Sequence, residues 1–338
     1  MSIQKGFFDE AFRLEELKQQ GDPLVSLKEI IDWESFREPL RKIFKKVPKG
    51  AGGRPAYDYV MMFRILILQR LYNLSDNQMQ FQLMDRISFM RFVDLDLNDK
   101  VPDEKTIWLF RETLTKSGEL EKLFEQFHEY LLENGFIAQK GLIVDASFVE
   151  VPKQRNTREE NKEIKENVRP EGWSENKERQ KDTDARWTIK GGENHYGYKN
   201  HIKIDKESKI IETFVVTPAS VHDSQALEEL LREEDSHHEL YADSAYAGKP
   251  VQEILKNFRI RNRIHEKGYR GLPLTEEQKE RNRKKSRIRA RVEHVFGFIH
   301  TSMKGHRIRS IGIVRARGII ALMNLVYNMI RYIRLCSV

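Results

Sequence analysis

The sequence predicts an α+β multidomain chain, a helical N-terminal domain followed by an α/β domain built on a mixed sheet flanked by helices. Three observations carry this. Residues 1–140 place apolar side chains at helical spacing, as in Met61, Ile65, Leu68 and Leu71, and have few β-branched runs. The period changes at Gly141, where Leu142-Ile143-Val144-Asp145-Ala146-Ser147-Phe148-Val149 is too continuously apolar for anything but a buried strand. From there to Phe258, strand patterns alternate with helical ones. With 338 residues, 39% of them hydrophobic, the chain can build the cores of about two domains, which excludes disorder throughout.

In order along the chain, residues 1–50 read as a helical arm. The run Lys49-Gly50-Ala51-Gly52-Gly53-Arg54-Pro55 reads as a basic, glycine-rich hinge that opens a helical domain over 51–140. A mostly buried helix starts across Tyr57 to Tyr72, with breaks near Asn73–Ser75 and Asp94–Pro102. Asp103 can cap a final helix through Thr106, Trp108, Phe110, Arg111 and Leu114. Short helices joined by tight breaks admit a helix-turn-helix with Lys105, Trp108 and Arg111 facing DNA, and equally an ordinary packed domain that serves dimerisation.

The α/β domain spans 141–338. Tyr198–Ile204 and Ile210–Val216 flank a polar turn and suggest an antiparallel hairpin. Asp223–Arg232 and Val251–Phe258 read as helices, and Glu239–Asp243 as a short strand. Between Lys153 and Arg186 lie ten basic and nine acidic residues with one aromatic, Trp173. That composition predicts a mobile insertion out of the sheet. Thr275-Glu276-Glu277-Gln278 forms a capping box for a helix with a buried stripe of Ile288, Val292, Val295, Phe296 and Ile299.

The one cysteine, Cys336, excludes a disulfide framework and a cysteine-based metal site. The N-terminus has no apolar signal core, and the longest apolar stretch, Ile319–Ile330, is short and broken by Asn324 and Asn328. These features predict a cytoplasmic protein that neither is secreted nor spans a membrane. The formal charge of +7 is unevenly spread, since residues 254–338 alone hold 21 basic and 5 acidic side chains. A field of that sign points to a polyanion such as DNA.

Asp145 is a carboxylate midway along an apolar strand, where an unpaired charge costs several kcal/mol and must face an open edge, a cation or a metal. Asp243 ends a second strand, at the edge where ligands of α/β sheets collect. Glu293 is the only acidic residue between Arg281 and Val338. It reads either as a surface ion pair with Arg289, worth ~0.3–0.5 kcal/mol, or as a third ligand among phosphate-binding cations. Two aspartates and a glutamate are hard donors suited to Mg²⁺ or Mn²⁺, and a pair of such ions can drive an in-line phosphoryl displacement. No zinc-protease helix, phosphate-binding glycine loop or nucleophile elbow competes with this reading.

Several ordered motifs then carry a resemblance. Val144-Asp145-Ala146-Ser147-Phe148-Val149-Glu150-Val151-Pro152, Gly197-Tyr198-Lys199-Asn200-His201, Val221-His222-Asp223, Ala242-Asp243-Ser244-Ala245-Tyr246-Ala247-Gly248 and Arg289-Ala290-Arg291-Val292-Glu293-His294 resemble the DDE transposases of bacterial insertion sequences, IS5 group of the IS4 superfamily. Upstream, Gly53-Arg54-Pro55, Tyr72-Asn73-Leu74-Ser75-Asp76 and Pro102-Asp103-Glu104-Lys105-Thr106-Ile107 are similar to that group's N-terminal domain, so the resemblance covers about residues 50–330.

The resemblance implies an RNase H-like catalytic domain. Its acidic triad would be Asp145, Asp243 and Glu293, holding two Mg²⁺ (or Mn²⁺) ions for hydrolysis at transposon ends and strand transfer into target DNA. The implied partners are double-stranded DNA, at transposon ends and target, and a second copy of the chain in a synaptic homodimer. The superfamily signature around the glutamate has tyrosine and lysine where this chain has Ser286 and His300, while Arg289 and Glu293 fit. Phosphate contacts are expected from Lys284, Lys285, Arg287, Arg289, Arg291 and Lys304, and sequence choice from Lys105, Trp108 and Arg111. A metal-dependent nuclease without strand transfer, and a DNA-binding repressor with a degenerate triad, stay open as alternatives.

Overall fold

The computed structural model describes residues 9–44, 56–166 and 168–336. The glycine-rich hinge with Arg54 lies outside the described residues. Eight helices come first: α1 (Asp9–Gln19), α2 (Pro23–Ile30), α3 (Arg37–Phe44), α4 (Tyr59–Leu71), α5 (Asp76–Asp85), α6 (Ile87–Phe92), α7 (Glu104–Lys116) and α8 (Glu119–Glu133). Their starts follow from side chains that satisfy free N–H groups. Asp22 accepts from Leu24 N ahead of Pro23, Asp58 accepts from Met61 N, and Ser75 and Gln78 form a capping box. Asp103 caps α7 through Thr106 N, as expected, although α8 follows, so α7 is not the last helix of this region.

The first helices are no loose arm. Leu24, Leu27, Trp33, Phe36 and Leu40 are buried, and the Trp33 ring stands edge-on to Phe63 and Phe92.

The sheet begins with β1 (Leu142–Glu150). After α9 (Arg158–Lys165) and α10 (Glu175–Arg179) come β2 (Arg186–Lys190), β3 (Glu193–Asp205) and β4 (Ile211–Pro218), then α11 (Leu227–Leu230), β5 (Glu239–Tyr241), α12 (Lys249–Asn257), β6 (Arg261–Asn262), α13 (Glu276–Gly297) and α14 (Ile313–Cys336). β3 lies antiparallel between β1 and the β2/β4 edge, and β5 and β6 run parallel to β1 on its other side. The hairpin is β3–β4, and the capping box at Thr275 opens α13; both agree with the sequence.

Alternation along β1 sends Leu142 and Val144 into a small core with Leu227, Leu240, Tyr246 and Leu255, while Ile143 and Val149 join the main core. That main core is continuous from Leu24 to Tyr332, so helices and sheet share one interior. Its spine is α14, which packs on α2, α4, α7 and α8 and on β3 and β4. By length and composition α14 could cross a membrane, yet 67% of its most apolar window is buried inside the protein.

Two buried asparagines dock α14 on the sheet. Asn324 and Asn200 exchange amide hydrogen bonds, at 2.9 and 3.2 Å. Asn328 accepts from Ile211 N at 2.9 Å and donates to Ile211 O at 2.8 Å, acting as a one-residue strand beside the irregularity at Lys203/Ile204.

The insertion at 153–186, expected to be mobile, holds α9 and α10 and buries Trp173, Ile164 and Asp182. Trp173 is the reason. Its indole N–H donates to Glu160, which also pairs with Lys177, whose ammonium lies 5.2 Å from the Trp173 ring. Asp182 closes the segment by accepting from Tyr198 Oη at 2.7 Å and from the Ala185 amide.

Removing one partner of a buried polar pair costs about 1–3 kcal/mol for each group stranded. Asn328→Ala strands both Ile211 groups and is expected to cost about 2–5 kcal/mol in denaturant unfolding. Asn200→Leu combined with Asn324→Leu removes both partners and is expected to cost less than either single change. Additive losses in that double-mutant cycle would refute the docking role.

Candidate active site

Asp145 occupies the middle of β1, on the same side as Ile143 and Val149, where its side chain is 14% exposed. The β1–β5 register pairs Leu142 with Leu240 and Ile143 with Tyr241, and carried two residues on it sets Asp145 beside Asp243. Asp243 follows β5 and caps a single 3₁₀ turn by accepting from Ala245 N at 2.8 Å. The fold thus brings the two aspartates together at the open edge between parallel strands.

Helix α13 packs across β1, with Val292 and Val295 in the core, and delivers Arg289 and Glu293. Arg289 donates to Asp145 Oδ2 at 2.6 Å through one terminal nitrogen and to Glu293 Oε1 at 2.7 Å through the other. The surface pair with Glu293 is therefore real, but the same guanidinium ties Glu293 to the buried strand. Glu293 stays 58% exposed on the Asp145 side of the sheet.

Burial pushes the Asp145 carboxyl up to about 6, against opposing pulls from the Ala146 amide and Arg289, and the charge of Asp243 adds to the rise. Tyr246 closes the site from beneath. Its hydroxyl is buried without a partner, and desolvation followed by the charges of Asp223, Asp145 and Asp243 raises it well above its ordinary range.

Several side chains here find partners that the sequence reading did not assign. Lys199 donates to Asp223 Oδ1 at 2.7 Å in a buried pair, and the turn that Asp223 starts is capped by the His222 side chain through Ser224 N. Ser286 lies 3.3 Å from His265 Nε2. His300 meets Ser147 Oγ at 2.8 Å from a short π-helical turn, Phe298–Ser302, that breaks the helix after α13.

The expected DNA contacts divide. Lys284, Arg287 and Lys304 are exposed and make no ion pair among the described residues, and Lys105 and Trp108 are exposed on α7. Others are spoken for within the molecule. Arg111 turns inward and binds both oxygens of Asp76, because α7 packs on α5 and a half-buried guanidinium needs a counter-charge. Lys285 donates to Ile264 O, and Arg291 to Lys206 O and Glu207. Arg289 serves the carboxylates.

Residues 138–329 match the family model described as Transposase DDE domain, and residues 12–113 match Transposase domain (DUF772). The chain belongs to the DDE transposase family. Its fold is RNase H-like: a helical N-terminal region followed by a mixed sheet with helices. Among solved structures it is similar to a piggyBac transposase synaptic complex with hairpin DNA, determined by cryo-EM, at 11% identity and a TM-score of 0.47 over 94% of this chain and 75% of that one.

The DDE transposase family implies divalent metal ions. The donors fit such ions in kind, since Asp145 and Asp243 are hard oxygen donors, and a cationic group, Arg289, already sits on the Asp145 oxygen. Among the described residues no three carboxylate, imidazole or thiol side chains are close enough to form a metal-holding group, because Arg289 stands between Asp145 and Glu293.

An acid whose pKa is higher folded than unfolded holds more protons in the folded state between the two values, so its contribution to stability falls as pH rises through that window. For Asp145 the window runs from 3.8 to about 6. The wild-type chain should lose roughly 3 kcal/mol relative to Asp145→Asn between about pH 4 and 7. Thermal melts across that range check this, and parallel pH profiles for the two proteins would contradict it.

Proposed function

We propose that this chain is a DNA transposase of a bacterial insertion sequence, IS5 group of the IS4 superfamily, which hydrolyses phosphodiesters at transposon ends and joins the freed 3′ hydroxyl to target DNA. The observation that carries the reading is the single guanidinium of Arg289 joining Asp145 and Glu293 beside Asp243. In this reading Asp145, Asp243 and Glu293 are the catalytic carboxylates. Two Mg²⁺ or Mn²⁺ ions held by them would supply the Lewis acidity that activates water and stabilises the leaving 3′ oxygen.

The chain's own residues do the rest. Arg289, which bridges Asp145 and Glu293, is placed to meet a phosphate beside them, and burial by Tyr246 and the small core keeps bulk water from the lower side of Asp145. Lys284, Arg287 and Lys304 hold the DNA backbone, and Lys105 and Trp108 on α7 contribute to the choice of sequence. Two ends must be held together, so a homodimer on DNA is part of the proposal.

Purified protein, its element's terminal DNA and Mg²⁺ give the deciding experiment. Asp145→Ala, Asp243→Ala and Glu293→Ala should each lower cleavage by more than the roughly 100-fold typical of losing a supporting residue around a metal, while duplex binding persists. Near-normal cleavage by any one variant removes that residue from the site. Cut ends without joined products would favour the nuclease over the transposase.

Neutralising Lys284 and Arg287 together should lower the slope of log affinity against log salt by about 1.8 with little dependence on sequence. A slope equal to wild type would show that this face of α13 does not touch the backbone.

A further inference from the structure

A cleft of about 490 Å³ lies between the α4–α5 corner and residues 304–309, away from the carboxylates. One wall is Arg70, near the end of α4, with 9% of its surface exposed. Its guanidinium donates to Asn73 Oδ1, its Nε is buried with no partner, and the charge acting on it is another cation, Arg111. Burial and Arg111 together push Arg70 down to about 10. Asp76 is the one carboxylate among the described residues lining the cleft, and Arg111 takes up both of its oxygens.

The opposite wall is the segment after the π turn, which presents Lys304, His306, Arg307 and Arg309, all exposed. This wall is fixed by backbone. Glu150 N donates to His306 O and Ile308 N to Glu150 O, both at 2.9 Å, so the segment lies beside the end of β1. Gly305 lies so close to α14 that a Cβ there would stand 2.3 Å from Met323 Sδ, which excludes any larger residue without a shift.

A buried cation that serves structure is given an anion by the fold. Arg70 is given none, and it faces a cationic wall across open space. We propose that this cleft holds a DNA backbone phosphate, with Arg70 as its buried anchor and Arg307 and Arg309 as its outer clamp. The inference rests on the reading of the chain as a DNA-acting enzyme and gives that enzyme a second phosphate subsite. The subsite connects to the carboxylates along β1. Ser147 meets His300, the rings of His300 and His306 are 6.3 Å apart, and His306 lines the cleft. From Asp145 to Glu150 the strand rises about 17 Å.

The test measures binding of the full chain to a fluorescent duplex by anisotropy over a salt series, with thermal melts of each protein alone. Arg307→Gln with Arg309→Gln, at exposed positions, should lower the slope of log affinity against log salt by about 1.8, and Arg70→Gln by about 0.9. Arg70→Gln should melt no lower than wild type in the absence of DNA, because an unpaired buried charge is removed. Wild-type slope in the double variant overturns the cleft as a phosphate site. A lower melting temperature with unchanged affinity in Arg70→Gln overturns its role as anchor, and if that variant does not fold the double variant decides. A wild-type chain that binds duplex with these slopes but never cuts it with Mg²⁺ retires the catalytic proposal and leaves the cleft standing. Failure of the wild type to bind duplex overturns both.

Discussion

A carboxylate in the middle of a strand that is otherwise apolar or small has to be answered by a cation, and much of this molecule is arranged around that answer. Asp145 cannot leave β1, because Ile143 and Val149 on the same side and Val144 on the other are fixed in two cores. Arg289 therefore has to come to it, which sets where α13 crosses the sheet and which turn of that helix faces β1. Four residues further along the same helix face, Glu293 follows of necessity. The geometry of the proposed catalytic centre is thus a consequence of one ion pair plus helix periodicity.

The second constraint is α14. An apolar helix carrying two asparagines can be buried only where both amides find complete partners. Asn324 finds Asn200 and Asn328 finds the two backbone groups of Ile211, which fixes the helix against β3 and β4 in rotation and in height. The opposite side of α14 then receives α4, α7 and α8, and Gly318 lets Thr115 approach to where a Cβ would be 2.9 Å away. The helical region is consequently built onto the sheet that carries Asp145 rather than tethered to it. Movement of the exposed Lys105 and Trp108 on α7 relative to the carboxylates would have to pass through a packed interior.

What the sequence made legible was local or periodic. The β1 strand, the β3–β4 hairpin and the caps at Asp103 and Thr275 each depend on neighbours within a few residues and form as read, while of the stripe read on α13 Val292 and Val295 are buried there, Ile288 and Phe296 are half-buried, and Ile299 falls in the π turn beyond it. The carboxylates were legible because a charge is anomalous in a buried strand or in a basic helix. What escaped depends on partners far away in sequence. Arg111 looks like a DNA contact until Asp76, 35 residues earlier, folds against it. Asp223 reads only as the start of a helix, while Lys199, 24 residues earlier, reaches it. The 153–186 insertion has the composition of a disordered segment because composition counts its charges but not their pairing around Trp173. Arg70 escaped altogether, since an arginine at the end of an apolar helix ordinarily reaches solvent.

The two departures from the family signature acquire a physical meaning in this setting. Ser286 and His300 replace a tyrosine and a lysine, and both turn toward the site, Ser286 to His265 and His300 to Ser147. Burial, with His306 nearby, lowers the His300 pKa below its ordinary value, so the imidazole is neutral near pH 7 and cannot stand in for a permanent positive charge. The cationic role of that lysine is therefore vacant at position 300 itself. The chain continues from His300 through the π turn into Lys304, His306, Arg307 and Arg309, a stretch held rigid by β1 and by Gly305 against α14. Positive charge lost from one position beside β1 is restored a few residues later on a wall anchored to the end of the same strand. The same strand that carries Asp145 thus also places the outer cations, so the cationic wall and Asp145 keep a fixed spacing that does not depend on side-chain reach.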